Sequence, residues 1–366
     1  MTKARCSTKT IEDCLERLLL PNLRKVNSSQ YQNVGKYPII DQGQRVIAGW
    51  TDDESGVISE PLPVIVFGDH TRTFKFADFP FVRGADGTQI LKPKKGIDPL
   101  FFFYACRALD LPERGYNRHF SSLKEKTVRI PDDEEEQRRT ALVLRELEST
   151  KERQEIVLGT LADLKLSAMN HLFRNGVLGI GTKETEFGFV PANYELRPIS
   201  GLGAVVTGNT PPTKNRENYV GGTIPFVSPA DIQHGFRIQG TGKHISETGL
   251  LSSRPLPQGT ICFVCIGSTI GKVGQTTAPV TVTNQQINSI IPSGRYHPDY
   301  IFHLLTFWSE QIQREASPSP VPILTKGAFE RIQIYASPDE DEQKKTAEVL
   351  NAIDIKTDLH LKKKVF

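Results

Sequence analysis

Pro131-Asp-Asp-Glu-Glu-Glu-Gln-Arg-Arg-Thr-Ala-Leu-Val-Leu144 and Pro338-Asp-Glu-Asp-Glu-Gln-Lys-Lys-Thr-Ala-Glu-Val-Leu350 carry nearly the same message twice. At an offset of 206, Gln137 meets Gln343, Thr140 meets Thr346, Ala141 meets Ala347 and Leu144 meets Leu350. Charge sign is kept at Arg138/Lys344 and Arg139/Lys345. Such agreement over a dozen residues marks an internal repeat, with each copy one domain plan. Upstream the match is fainter. Gly68, Pro80 and Pro93 pair with Gly267, Pro279 and Pro292 at an offset of 199, and Phe101-Phe-Phe pairs with Tyr300-Ile-Phe. Tyr37-Pro-Ile-Ile resembles Ile224-Pro-Phe-Val at 187. The drifting offset means loops of unequal length on a shared plan. One repeat covers 1–175 and the other 176–366.

Each repeated stretch opens a helix. Pro131 followed by the acidic run Asp132 to Glu136 is a good N-terminus, a fixed backbone angle and then carboxylates against the positive end of the dipole. Leu144, Leu147, Leu158, Leu161, Leu164, Ala168 and Leu172 follow at helical spacing, and Asn175-Gly176 is the stop. From Asp132 to Arg174 this is about 64 Å at 1.5 Å per residue, the length of a spacer. The second helix starts at Pro338, carries Ala347, Leu350, Ile353, Leu359 and Leu361, and reads as shortened, stopping at Phe366. The two stripes are expected to pair antiparallel, with Leu144, Leu147, Leu158, Leu161, Leu350 and Ile353 in the seam. Around them lie short strands and turns. Pro63-Val-Ile-Val-Phe and Thr260-Ile-Cys-Phe-Val-Cys-Ile are apolar strands before a glycine, Gly267-Ser-Thr-Ile-Gly-Lys-Val-Gly reads as turn, strand, turn, and 99–109 and 298–316 each hold a helix. The fold class is α+β. Two mixed α/β domains, 1–131 and 176–337, are separated by long helices, 132–175 and 338–366, forming an antiparallel coiled-coil spacer.

The whole chain suits a folded protein of about two domains: 366 residues, 38% apolar, 24% charged. No stretch approaches the roughly 18 apolar residues that span a bilayer, and Met1 to Thr10 holds no run like a signal peptide's, so the cytoplasm is the expected compartment. Five cysteines, an odd number, argue against a disulfide scaffold. The net charge of +3 neither demands nor excludes a nucleic-acid partner, because the acidic residues gather at the helix starts and leave the domain bodies more basic.

Motifs with a chemical look do not stand. Gly267-Ser-Thr-Ile-Gly-Lys-Val-Gly has three residues where a phosphate loop needs four, and Val where it needs Ser or Thr. Cys262-Phe-Val-Cys265 has zinc half-site spacing, yet residues i and i+3 of a strand face opposite ways and no second pair exists. Asn209-Thr-Pro-Pro212 lacks the aromatic of a methyltransferase motif and is read as a loop. The histidines are scattered. Basic side chains say more. Arg and Lys neutralise phosphates and, with Asn and Gln, read major-groove edges. Many here lie in turns, although ordinary solvated surface is the competing reading for each.

The two Glu-Gln-basic-basic segments, each after a proline and before an apolar-striped helix, resemble the specificity subunit of type I restriction-modification systems. So do Tyr219-Val-Gly-Gly-Thr-Ile-Pro-Phe-Val-Ser-Pro-Ala-Asp231, the Gly267 segment, Thr283-Asn-Gln-Gln286 and Leu324-Thr-Lys-Gly-Ala-Phe-Glu-Arg-Ile, in that order. The first half is more divergent, with Gly68-Asp-His-Thr and Gly84-Ala-Asp-Gly-Thr in the matching places. The resemblance implies a non-catalytic subunit that reads a bipartite, asymmetric DNA target, one recognition domain per half-site. It implies helices that set the spacing and dock two methyltransferase subunits. S-adenosylmethionine, ATP and Mg2+ would then sit on those and on the restriction (endonuclease/translocase) subunits, and this chain needs no cofactor or metal. Half-sites about 10 base pairs apart lie about 34 Å apart on one DNA face, within reach of such a strut. Arg72, Lys75 and Arg118 in the first domain, and Lys214, Arg216, Lys243 and Lys272 in the second, are the expected DNA contacts, while Gln285 and Gln286 are read as satisfying backbone groups. A duplicated scaffold without DNA binding, or a nucleic-acid-modifying enzyme, are the alternatives.

Overall fold

The computed structural model describes residues 5–18, 24–84, 87–112, 119–233 and 235–363. It divides into two compact units, Met1–Arg153 and Gln154–Phe366. None of its helices, among the described residues, is long and apolar enough to cross a membrane.

The first unit contains β1 (Cys6–Thr10), α1 (Ile11–Cys14), β2 (Tyr37–Ile40), β3 (Gly49–Thr51), β4 (Val57–Ile58), β5 (Val64–Gly68), β6 (Phe74–Ala77), β7 (Phe81–Arg83), β8 (Thr88–Leu91), α2 (Pro99–Arg107), α3 (Phe120–Glu125) and β9 (Thr127–Pro131). One sheet has the order β3-β2-β7-β4, with β2 and β7 parallel. A second has the order β6-β5-β8. The central β5, Val-Ile-Val-Phe-Gly, is buried at all five positions because both of its faces are covered, and its β-branched residues suit that setting. Asp98 caps α2 by accepting from Phe101 N at 2.8 Å, Pro99 fills the first helical position, and the helix buries Phe101, Phe102, Phe103 and Cys106.

The helix α4 (Glu134–Asn175) follows, and the division between units falls within it. Its start departs from the sequence reading. Pro131 ends β9, paired with Cys6, and the helix is capped by Asp133 Oδ1, which accepts from Glu135 N at 3.1 Å. The stop is as read: Gly176, at φ +74°, donates its N–H to Leu172 O at 3.0 Å.

The second unit continues with β10 (Thr182–Thr185), β11 (Gly188–Pro191), β12 (Glu195–Pro198), β13 (Gly203–Thr207), β14 (Ile224–Val227), β15 (Phe236–Ile238), β16 (Lys243–Ile245), α5 (Glu247–Leu251), β17 (Leu256–Pro257), β18 (Ile261–Val264), β19 (Val273–Thr276), β20 (Val280–Thr283), β21 (Ile287–Pro292), α6 (Pro298–Arg314), α7 (Lys326–Arg331), β22 (Gln333–Ala336) and α8 (Glu340–Lys363). Its sheets run β16-β14-β20-β17, with β14 and β20 parallel, and β13-β21-β18-β19-β15. The first repeats β3-β2-β7-β4 strand for strand, and β19-β18-β21 repeats β6-β5-β8. The unit's core gathers Phe263, Tyr300, Phe302, Trp308 and Phe329 with Met169, Leu172 and Phe173 of α4 and Leu350 of α8. The Gly267 segment holds no strand between its glycines. Residues 267–271 are one turn, Gly267 and Gly271 both take positive φ, and the strand waits until Val273.

Within this unit α4 and α8 run antiparallel. Gln154 Nε2 bonds to His360 O, Lys165 Nζ lies 2.6 Å from Asp354 Oδ1, and Val177 N donates to Glu342 Oε1 at 3.2 Å. Leu161 and Leu350 are buried, and Leu158 and Ile353 half-buried. Leu144 and Leu147 are not in it. They are 38% and 61% exposed, a correction to the expected stripe. Leu350 lies in the second unit's core with residues of α6 and the end of α4, whereas Leu144 lies outside the first unit's core, which takes only Ala141 from the start of α4.

Candidate nucleic-acid interface

The repeated glutamine shows what the repeat builds. Gln137 Oε1 accepts from Asp98 N at 2.8 Å, and its Nε2 donates to Pro131 O at 2.8 Å and Gly96 O at 3.2 Å. Gln343 Oε1 accepts from His297 N at 2.9 Å, and its Nε2 donates to Ser337 O at 3.0 Å. In each unit one buried amide ties the start of the long helix to the N-cap of α2 or α6 and to the strand exit. These are backbone groups that burial would otherwise leave unsatisfied. Beside Gln343, buried Glu342 accepts from Ser337 Oγ at 2.6 Å and Asn193 Nδ2 at 2.7 Å. From the sequence the Glu-Gln pair was legible as a repeat and as a family resemblance, not as a buried tie between helix and strand.

On this frame the second unit holds a polar loop, 208–220. Gly208 lets it leave the sheet closely, since a Cβ there would meet Asn284 O at 2.2 Å and Thr283 O at 2.3 Å. Asn209 Nδ2 donates to Ser252 O at 2.7 Å, Asn218 Nδ2 to Pro212 O at 3.0 Å, and Tyr219 OH to Pro211 O at 2.6 Å. Asn209-Thr-Pro-Pro212 is thus a braced loop, as read. Lys214 and Arg216 project from it and are exposed. Ser246 N donates to Asn218 O at 2.9 Å, which joins this loop to the end of β16, the short strand that Lys243, also exposed, begins. Lys272 stands apart, half-buried in the β18–β19 turn. Gln285 Oε1 accepts from Thr210 Oγ1 at 2.8 Å and Gln286 Oε1 from Asn284 Nδ2 at 2.9 Å, so their side chains serve other side chains rather than backbone.

In the first unit the picture is different. Arg72 sits in the β5–β6 turn at φ +61°, in the place that Gly271 takes in the β18–β19 turn, and Nη1 donates to Leu111 O at 2.8 Å. Lys75 is 3% exposed, and its ammonium donates to Asp41 O at 2.7 Å with Asp41 Oδ1 at 3.4 Å. Burial lowers its pKa against the pull of Asp41. An ammonium committed inside the domain is no surface contact for phosphate, which corrects its selection. The signal was the strand pattern: Lys75 lies between Phe74 and Phe76 on β6, on the opposite face from both. Arg118 lies outside the described residues.

The cysteine pair is structural. Cys262 and Cys265 are buried, accept from Ser289 Oγ at 3.6 Å and Asn288 Nδ2 at 3.1 Å, and burial pushes both thiols up to about 12. Among the described residues no group of three or more His, Cys, Asp or Glu is placed to hold a metal ion.

The geometry defines a protein with a duplicated domain plan and a loop-borne basic surface on the second copy. Residues 191–365 match the family described as Type I restriction modification DNA specificity domain. The chain is 33% identical over 179 residues to the Type I restriction enzyme MjaIX specificity subunit of Methanocaldococcus jannaschii, covering 47% of this chain and 40% of that protein. It is 22% identical to the Type I restriction enzyme EcoR124I/EcoR124II specificity subunit of Escherichia coli over 92% of this chain and 84% of that one. Its fold is shared with the S subunit of a type-I restriction-modification system from M. genitalium, at a TM-score of 0.71 and 15% identity over 99% of this chain and 93% of that chain. The second half of the chain thus matches that family, and the chain as a whole is similar to specificity subunits of type I restriction-modification systems.

Proposed function

We propose that this chain is the non-catalytic DNA-specificity subunit of a type I restriction-modification complex, each unit reading one half of an asymmetric, gapped target. The observation that carries the reading is the duplication: the same strand order and the same buried glutamine occur in both units. Two copies of one reader, diverged in sequence, suit two different half-sites. Lys214, Arg216 and Lys243, exposed on one loop cluster, would make the phosphate and base contacts, with Lys272 and Arg72 on the hairpin turns as further candidates. Phosphate contacts would fix register and a few base-edge contacts would fix sequence. The long helices would set half-site spacing and dock the methyltransferase subunits, which with the restriction subunits would hold S-adenosylmethionine, ATP and Mg2+. The test is DNA binding against salt for the assembled complex. Lys214→Ala with Arg216→Ala should weaken binding and flatten the log–log salt slope by about 2, near 0.9 per phosphate contact. An unchanged slope removes both residues from the interface, and no sequence-selective binding by the assembled complex removes the reading itself.

A further inference from the structure

The repeat makes one difference between the two units informative. In the second unit the outer edge of β19 is covered by β15, which runs parallel to it with Phe236 opposite Gly274, Arg237 opposite Gln275 and Ile238 opposite Thr276. Arg237 points at the helices. Its Nη2 lies 3.1 Å from Asp299 Oδ2 and donates to Asn351 Oδ1 at 2.9 Å, and the guanidinium stands 5.8 Å over the Phe302 ring. Gln239, just beyond, donates to Asp358 Oδ2 at 3.0 Å.

Strand register carries these positions to the first unit. Ile65 pairs with Phe76 and Leu91 as Ile261 pairs with Gln275 and Ile290, so β6 is the counterpart of β19. Among the described residues β6 is the last strand of its sheet. Among the described residues no strand lies along it: eight residues, 41–48, join β2 to β3, whereas fifteen, 228–242, join β14 to β16 and include β15. In its place is a cleft of about 730 Å³ along residues 73–76, with Phe74 and Phe76 half-exposed in its wall. By the offsets of the repeat, the partners of β15 have counterparts that all line this cleft: Leu100 for Asp299, Phe103 for Phe302, Arg145 for Asn351 and Glu152 for Asp358.

We propose that this cleft is a docking site for one extended segment of a partner protein, added parallel to β6 and reading apolar–acidic–apolar. An exposed strand edge offers a ladder of backbone donors and acceptors, and strand addition is the way such an edge takes a peptide. The chemistry of the central residue follows from the two exchanges. Where Arg237 meets an acid and an amide, the cleft presents Leu100 and the exposed Arg145, which makes no salt bridge among the described residues. Glu148, also in the wall, is occupied by Tyr104 OH at 2.9 Å and Arg107 Nη1 at 2.6 Å. The sign facing the central residue is therefore inverted relative to the second unit, while Glu152, in the place of Asp358, keeps its acid further along the cleft. An Asp or Glu pairs with Arg145, while its neighbours along the strand face the apolar layer as Ile238 does in β15.

The probes are two labelled nonapeptides copying residues 233–241, one with the native Arg at position 237 and one with Arg237→Glu. They are titrated onto the full chain by fluorescence anisotropy, with amide hydrogen exchange as the second readout. The Glu peptide should bind one site saturably, at least tenfold tighter than the Arg peptide, and should slow exchange in Phe74–Ala77. Arg145→Glu, a surface change whose thermal melt should be unaltered, should weaken the Glu peptide at least tenfold and reverse the preference. No saturation by either peptide at millimolar concentration, indifference to Arg145→Glu, or unchanged exchange in β6 would each overturn the proposal. So would self-association of the chain that slows exchange in Phe74–Ala77 with no peptide present, since the edge would then belong to a second copy.

Discussion

Gln343 is fully buried, and its amide answers one donor and one acceptor of the backbone, His297 N and Ser337 O. Replacing it with Ala leaves both unsatisfied in a dry interior, at about 1–3 kcal/mol for each group. Urea unfolding should lose about 2–6 kcal/mol from the Gln154–Phe366 unit, and Gln137→Ala a similar amount from the other. His303 is equally buried. Burial pushes its pKa down to about 3, and Nε2 lies 2.9 Å from Asn351 Oδ1. An unfolded histidine protonates near 6.5, so across the window from about 6.5 down to about 3 unfolding takes up a proton that the folded state refuses. Stability of this unit should fall as pH drops through that window and be level above it. His303→Gln, which keeps a donor to Asn351, should reduce that slope by one proton in pH-dependent melting. A slope identical to the parent's would mean that the imidazole is protonated in the fold. At this scale little was legible in the sequence. Lys75 and Lys214 are the same letter in similar polar company, and only the closing of β6 against the Asp41 loop turns the first inward.

Elements were easier to read than their partners. Apolar spacing and acidic starts placed the beginnings of α4 and α8 two residues early, at 132 and 338 against Glu134 and Glu340, because both signals are local. The caps were shifted from Pro131 and Pro338 to Asp133 and Asp339, whose carboxylates accept the first free N–H groups. What periodicity could not say is which part of a stripe is covered. Leu350 is fully buried and Leu147 is 61% exposed, although both lie on the same kind of helical stripe. Leu350→Ala should therefore cost about 2–5 kcal/mol by opening a cavity against Met169 and Phe173. Leu147→Ala in the isolated chain should stay within about 0.5 kcal/mol. Equal losses would show that the first half of α4 is packed in solution as tightly as α8.

The whole molecule was the most legible level, and the reason is physical. A duplicated domain must satisfy the same buried groups twice, so Gln137 and Gln343 survive with their neighbours while loops drift. The drift then hid what distinguishes the copies. Seven residues fewer between β2 and β3 than between β14 and β16 remove a strand, a difference that reads in sequence as mere loop length. Recognition surfaces are written on such loops, which is why the Arg72 and Lys272 turns could be located but not ranked.

The account rests on two readers acting on one target. Its most direct measurement is base-resolution mapping of methylation on DNA exposed to the complex rebuilt with its modification subunits, for the parent chain and for Lys214→Ala/Arg216→Ala. The account predicts an asymmetric motif of two specified blocks around an unspecified gap, with the double variant relaxing one block and leaving the other intact. A continuous or palindromic motif, or a variant that degrades both blocks equally, would contradict it.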